Sequence, residues 1–346
     1  MTSAPDPAAD VYEGRDGWLF LIRGNNRVLE QYGRPGVSRA TLWRWRRMIE
    51  TRVRRCTRIG ATYFHALAPE KLTVYPEWAD GLVFDSARAP ALRLARWLTA
   101  SPGARAWVDL AGAFRAATDG PPLYLRTDTH WTHHGCALAY RTILSRMGVP
   151  PRDDLEDRRN RTALPFSGDL GRKFLPHRTE QAEGSAIASE ARRIHANSLL
   201  LEMEALGRGG DAHLGTHAVF RNDDPRADPR RLVIFGDSYA QHTPHSPIAT
   251  LTALFADTFR EVHFLWSTGI DWRYLEAVRP DFVLGEMAER FVIDLPPHGI
   301  RIERLAELAR ERKLMGDVTG GDSPTPARLP PDAPASAPEA AGAAPR

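Results

Sequence analysis

Along this chain the period of apolar positions switches between that of a strand and that of a helix. GRDGWLFLIRG, from Gly14 to Gly24, reads as a short strand bounded by glycines, and ATYFHALAP, from Ala61 to Pro69, as a buried strand. Between them, Leu42, Met48, Ile49 and Val53 recur at helical spacing and predict a long amphipathic helix over residues 39–58. A helical pattern follows over 86–100, a strand pattern over 104–110 and a helical pattern over 134–148. Alternating strands and helices predict an α/β sheet covered on both faces.

Residues 151–230 break this rhythm. They are rich in Arg, Asp, Gly and Pro, with short apolar pieces such as NSLLLEMEAL, and read as an insertion or irregular connection rather than a second core. From residue 231 the alternation returns: RRLVIFGDSYA, PIATLTALFADTF, EVHFLWSTG, DWRYLEAVRP and DFVLGEMAER predict strand, helix, strand, helix and strand. Such a succession fits βαβ units of a parallel sheet. Residues 316–346 are dominated by Pro, Ala and Gly and are expected to be disordered, leaving one domain over 11–315.

Composition narrows the function classes. Of 346 residues, 42% are hydrophobic and 26% charged, as in soluble globular proteins, and no apolar run reaches the roughly 18 residues of a membrane span. MTSAPDPAADVYEG lacks the basic start and apolar stretch of a signal peptide, so as written the chain carries no export address and its compartment stays open. The net charge of +3 is small and its cations are spread along the chain, which argues against nucleic-acid binding. Lysine occurs only at Lys71, Lys173 and Lys313, and the arginines between Trp43 and Arg58 are expected to cover a solvated helix face. Cys56 and Cys136 alone give neither a disulfide framework nor a metal-binding cysteine pair.

Two short stretches carry the candidate chemistry. Leu232-Val233-Ile234-Phe235 runs directly into Gly236-Asp237-Ser238, which puts a serine hydroxyl where a parallel strand ends and ligands of open α/β sheets bind. The same three residues suit an ordinary turn. In Leu125-Arg126-Thr127-Asp128-Thr129-His130-Trp131, the spacing of two places Asp128 and His130 on one face of an extended segment. There a carboxylate can orient an imidazole, the base that a serine hydroxyl needs. Asp128, His130, His133 and His134 also form a possible metal-ligand set, though His133 and His134 begin a predicted helix, where capping or solvent exposure is simpler. No metal and no cofactor is expected.

The segments GRDGWLFL, PEKLTVYP, RTDTHWTHHG, SGDLGRKF, FGDSYA and PDFVLGEMAER, in this order, resemble the alginate O-acetyltransferase family of AlgJ and AlgX type, whose domain is SGNH-hydrolase-like. The matches extend over residues 11–292, and DTHW and GDSY are the most specific. The resemblance implies a three-layer α/β/α, flavodoxin-like parallel sheet, with Asp128, His130 and Ser238 as catalytic residues and Tyr75, Lys71, Arg126, Tyr239 and Arg290 as substrate-binding residues. For Tyr75 and Lys71 a structural role is the alternative. For Glu286 and Arg290 the alternative is a mutual ion pair that fixes a loop. The sequence departs from the wider fold in having no GxND motif, so oxyanion donors are sought in the backbone near Ser238 and at Gly269.

The expected reaction passes an acetyl group through Ser238 to a hydroxyl of a bacterial polysaccharide. Its expected partners are the polysaccharide acceptor and a membrane acyltransferase that delivers the acetyl donor. The family is typically periplasmic. A carbohydrate acetyl esterase with the same three residues, or a silent polysaccharide-binding protein, are the other readings.

Overall fold

The computed structural model describes residues 7–242 and 246–314; the tail expected at 316–346 lies outside the described residues. Among the described residues, seven strands build the central sheet: β3 (Thr62–Ala68), β4 (Trp107–Val108), β7 (Arg192–Ala196), β8 (His217–Arg221), β9 (Asp228–Gly236), β10 (Phe259–Trp266) and β11 (Phe282–Ala288). Their order is β4-β3-β11-β9-β10-β8-β7. The first five run parallel, whereas β8 pairs antiparallel to β10 and β7 antiparallel to β8. Two ribbons stand outside it, β1 (Val11–Glu13) with β2 (Leu19–Leu21), and β5 (Ala163–Phe166) with β6 (Glu180–Glu183).

Every residue of β11 is buried, as is every residue of β3 after Thr62 and every residue of β9 from Leu232 on. Successive strand residues point to opposite faces, so unbroken burial means that both faces are covered. Helix α1 (Arg39–Arg58) packs on β3, and α7 (Leu251–Thr258) on β10. Ser38 caps α1 by accepting the Thr41 N–H at 3.0 Å. The helix then buries Leu42, Trp45, Met48, Ile49 and Cys56, while Arg44, Arg47, Arg54 and Arg58 stay exposed. Arg52 is the exception: it turns inward and donates to the Tyr63 hydroxyl at 3.0 Å and the Thr268 carbonyl at 2.7 Å.

Two stretches differ from the sequence expectation. The strand expected over 104–110 shrinks to β4, because the Asp109 carboxylate accepts the Gly112 N–H at 2.9 Å and starts a helix, α4, over Leu110–Arg115. Within 151–230, β7 and β8 extend the main sheet at its edge with antiparallel pairing, so the sheet is mixed rather than wholly parallel. The helix between them, Ser198–Ala205, buries Leu199, Leu200 and Met203 in a small apolar cluster apart from the main core.

Parallel pairing brings the carboxyl ends of β3, β9 and β11 to one edge. Pro69, Glu70 and Lys71 follow β3; Asp237 and Ser238 follow β9; Glu289 and Arg290 follow β11. Over this edge lies the loop Leu123–Thr132, pinched at its base by the Tyr124–Trp131 bridge. Thr132 then caps α5 (His133–Met147) through the Gly135 N–H, and Gly148, at φ 68°, ends that helix. Among the described residues no helix is long and apolar enough to cross a membrane.

Candidate active site

The tip of the Leu123–Thr132 loop bends over the end of β9 and sets three side chains in one line. Asp128 Oδ1 lies 2.6 Å from His130 Nδ1, and His130 Nε2 lies 2.8 Å from Ser238 Oγ. Asp128 is buried, the His130 side chain is 15% exposed and Ser238 is half-buried, so the line opens to solvent at the imidazole and the hydroxyl. Burial alone would raise the Asp128 carboxyl, but the His130 charge and the hydrogen bonds from His130 and the Asp169 N–H outweigh it and hold the group below the carboxylate range. Burial would lower His130, yet the Asp128 charge and hydrogen bond raise it above its ordinary value.

Both ends of the line are fixed by neighbours. The segment Ser167–Gly171 clamps the loop tip: Gly168 N–H donates to Thr127 Oγ1 at 3.1 Å, Asp169 N–H to Asp128 Oδ2 at 2.8 Å, and Gly171 N–H to the Thr127 carbonyl at 2.8 Å. A Cβ on Gly168 would stand 2.3 Å from the Asp128 Cβ, so this approach needs glycine. Asp169 accepts the Thr129 N–H and Oγ1–H at 2.7 and 2.6 Å, while Glu180 accepts the Thr127 N–H and Oγ1–H, both at 2.7 Å.

Beneath Ser238, Asp237 accepts the Tyr239 N–H at 3.0 Å and the Ala288 N–H at 2.7 Å, tying the turn to β11. Glu286 receives the Asp237 N–H at 3.3 Å. Gly236 admits it, since a Cβ there would lie 3.0 Å from its Oε2. Burial and the neighbouring Asp237 charge push the Glu286 carboxyl well above its ordinary range.

The residues expected to bind substrate divide into two sets. Lys71 is buried and donates to the Leu19 and Arg126 carbonyls, both at 2.9 Å; burial lowers it to about 8. Tyr239 is buried, donates to the Thr129 carbonyl at 2.7 Å and packs its ring 5.0 Å from that of His130. Arg290 pairs with Glu70 at 2.8 Å in a buried ion pair. The expected Glu286–Arg290 pair is therefore replaced. Glu286 still belongs to β11 and faces the end of β9, whereas Arg290 lies past the strand, in a turn that faces the residues after β3. Tyr75 and Arg126, by contrast, line a cavity beside the loop base; there Tyr75 Oη accepts the Leu123 N–H at 2.9 Å, and Arg126 is exposed.

The Gly269 expectation is corrected, and the alternative four-residue metal set is not assembled among the described residues. Gly269 N–H is engaged with Ser267 Oγ at 3.0 Å and is not a free oxyanion donor. His133 turns to Glu156 at 2.5 Å and His134 to Glu183 at 3.9 Å, because the first turn of α5 points them away from the loop tip. Among the described residues, the ligand atoms that gather within 4.8 Å are those of Asp128, His130 and Asp169. Asp169, Gly168, Glu180 and Glu70 were not singled out from the sequence. The SGDLG signal that holds Gly168 and Asp169 was visible only as a supporting match, because a clamp formed across some 40 positions leaves no local pattern.

Known proteins share this arrangement of chain. The SGNH hydrolase-like domain of the acetyltransferase AlgX matches residues 11–197, just over half of the chain, including Asp128 and His130 but ending before Ser238. The probable alginate O-acetylase AlgJ of Pseudomonas aeruginosa is 30% identical over 151 residues, 41% of this chain and 33% of that protein, so the match spans about a third of that relative. Bacillus cereus PatB1, solved with a sulfonyl adduct, has a TM-score of 0.58 at 14% identity, covering 84% of this chain and 97% of that one. A DHHW family protein from Eubacterium siraeum has a TM-score of 0.53 at 16% identity, covering 81% and 90%. At such identities the structural likeness is one of fold. The extent of the sequence match is what decides the family: the chain belongs to the AlgX family of SGNH hydrolase-like acetyltransferase domains.

Proposed function

We propose that this protein is a polysaccharide O-acetyltransferase that carries the acetyl group on Ser238. The observation that carries the reading is the continuous line from Asp128 through His130 to Ser238, with links of 2.6 and 2.8 Å. Family membership supports acetyl transfer, and the name of the AlgJ relative supports a polysaccharide acceptor.

In the first half-reaction Ser238 Oγ attacks the acetyl carbonyl of the donor while His130 Nε2 takes the hydroxyl proton. The tetrahedral intermediate collapses, the donor's oxygen or sulfur leaves with the proton from His130, and the acetyl ester of Ser238 remains. A sugar hydroxyl then gives its proton to the same nitrogen and attacks that ester. Ser238 leaves and recovers the proton, and the acetylated sugar departs. Asp128 keeps the imidazole oriented and stabilises its charged form. By position, the donor to the developing oxyanion is the backbone N–H of Ser238 at the end of β9. Lys71, Tyr239 and Arg290 act through the loops they hold, and Arg126 and Tyr75 on the acceptor. The acetyl donor is delivered by a membrane acyltransferase partner.

A fluorophosphonate probe combined with product analysis tests the reading. The wild-type protein is expected to be labelled at Ser238 and, given an activated acetyl ester and polysaccharide fragments, to yield acetylated sugar; Ser238→Ala does neither. Labelling with release of acetate alone, in the presence of acceptors, makes the protein an esterase. Absence of labelling removes the nucleophile and leaves a polysaccharide-binding protein.

A further inference from the structure

The cavity beside the loop base is separate from the line of Asp128, His130 and Ser238, none of which lines it. Its volume is about 430 Å³, within the ~300–1,000 Å³ of sites that hold small ligands. One wall is aromatic: Trp18 stands edge-on to Tyr75 at 5.0 Å and tilted against Trp78 at 5.8 Å, and Trp78 is partly exposed. Polar groups complete it. The Arg126 guanidinium forms no ion pair among the described residues and reaches only the Asp16 carbonyl, at 3.4 Å. His133 lines the cavity as well, with its Nε2 turned to Glu156 at 2.5 Å. Gln181, which is exposed, also lines it.

We propose that this cavity is a saccharide subsite, which holds one sugar unit of the acceptor chain while a neighbouring unit receives the acetyl group at Ser238. A pyranose ring offers an apolar C–H face to an indole and a rim of hydroxyls to donors and acceptors, and this wall supplies both. Placement argues the same way. Arg126 lines the cavity and Asp128 is two residues further along the same loop, so the cavity and the catalytic line share one loop. This inference rests on the acetyltransferase reading and adds a requirement for acceptor length.

The test compares acceptors of one to six units from two ladders, oligouronates and cello-oligosaccharides, using whichever the wild type acetylates. Trp78→Ala is expected to raise KM about tenfold for acceptors of three units or more and to leave the KM of the single sugar within twofold. Trp78→Phe, which keeps a ring, is expected to recover most of that loss, and thermal melting establishes that both variants are folded. On the Ser238→Ala protein, binding of the longest acceptor, followed by calorimetry, is expected to weaken by the same factor when Trp78→Ala is added. An equal loss on short and long acceptors, or no loss on either, overturns the subsite while leaving acetyl transfer intact. If the wild type acetylates no member of either ladder yet deacetylates the donor, the transferase reading fails first.

Discussion

Ser238, His130 and Asp128 act as one unit in the proposed chemistry, and single substitutions should reveal it. Ser238→Ala and His130→Ala are each expected to lower turnover by about 10⁴- to 10⁶-fold, with little further loss when combined. Additive losses in the double variant would show that they work independently. The pH profile isolates the role of Asp128. His130 takes a proton only when neutral, and Asp128 raises its imidazole above the ordinary value of about 6.5. Turnover should therefore rise with pH through an inflection above that value. Asp128→Asn removes the charge, so the inflection should move to lower pH and the plateau should fall by about 10³- to 10⁴-fold. An inflection that stays in place would separate Asp128 from the base.

Loops and strand ends hold this unit in place, and their contribution shows in geometry and stability rather than in chemistry. Gly168→Ala sets a Cβ 2.3 Å from that of Asp128 and 2.4 Å from the Thr127 carbonyl, so the clamp on the loop tip must shift. Displacements of about 1 Å cost on the order of 10² in rate, and that loss is expected in turnover while circular dichroism stays native. The pair of Glu286 and Asp237 predicts a pH effect of definite sign. Because the folded Glu286 carboxyl sits well above its unfolded value of about 4.3, its stability contribution is complete below that value and declines as pH rises towards the folded one. Glu286→Gln keeps a donor towards Asp237 and does not titrate. Its melting temperature should thus fall less than that of the wild type between pH 5 and 8; parallel declines would separate Glu286 from the pH effect.

Across the whole molecule, stability is expected to be uneven. The strands that carry the site lie in the main core, whereas Leu199, Leu200 and Met203 belong to a separate cluster at the antiparallel edge. Local opening follows such divisions, so amides of β7 and of Ser198–Ala205 should exchange hydrogen well before those of β3, β9 and β11. Leu200→Ala, which empties a fully buried site, should cost about 2–5 kcal/mol in that edge and leave phosphonate labelling of Ser238 unchanged. Loss of labelling in parallel with the edge would instead make the sheet a single cooperative unit.

Much of the fold was legible locally because periodic burial writes itself into short stretches. Leu42, Met48 and Ile49 marked the buried face of α1, and Leu232–Phe235 marked β9, since each signal depends only on near neighbours. β4 and the antiparallel edge were less legible. A side-chain cap at Asp109 cut one strand short, and the direction of β7 and β8 depends on partners distant in the chain. The chain itself determined which residue types stand at the strand end and in the DTH segment, because a nucleophile, a base and a carboxylate are chemical identities. Only the folded arrangement decided that His130 stands 2.8 Å from Ser238, that Arg290 faces Glu70 rather than Glu286, and that Asp169 and Gly168 grip Asp128. Distances across a hundred positions are set by sheet order and loop packing, which no local pattern encodes.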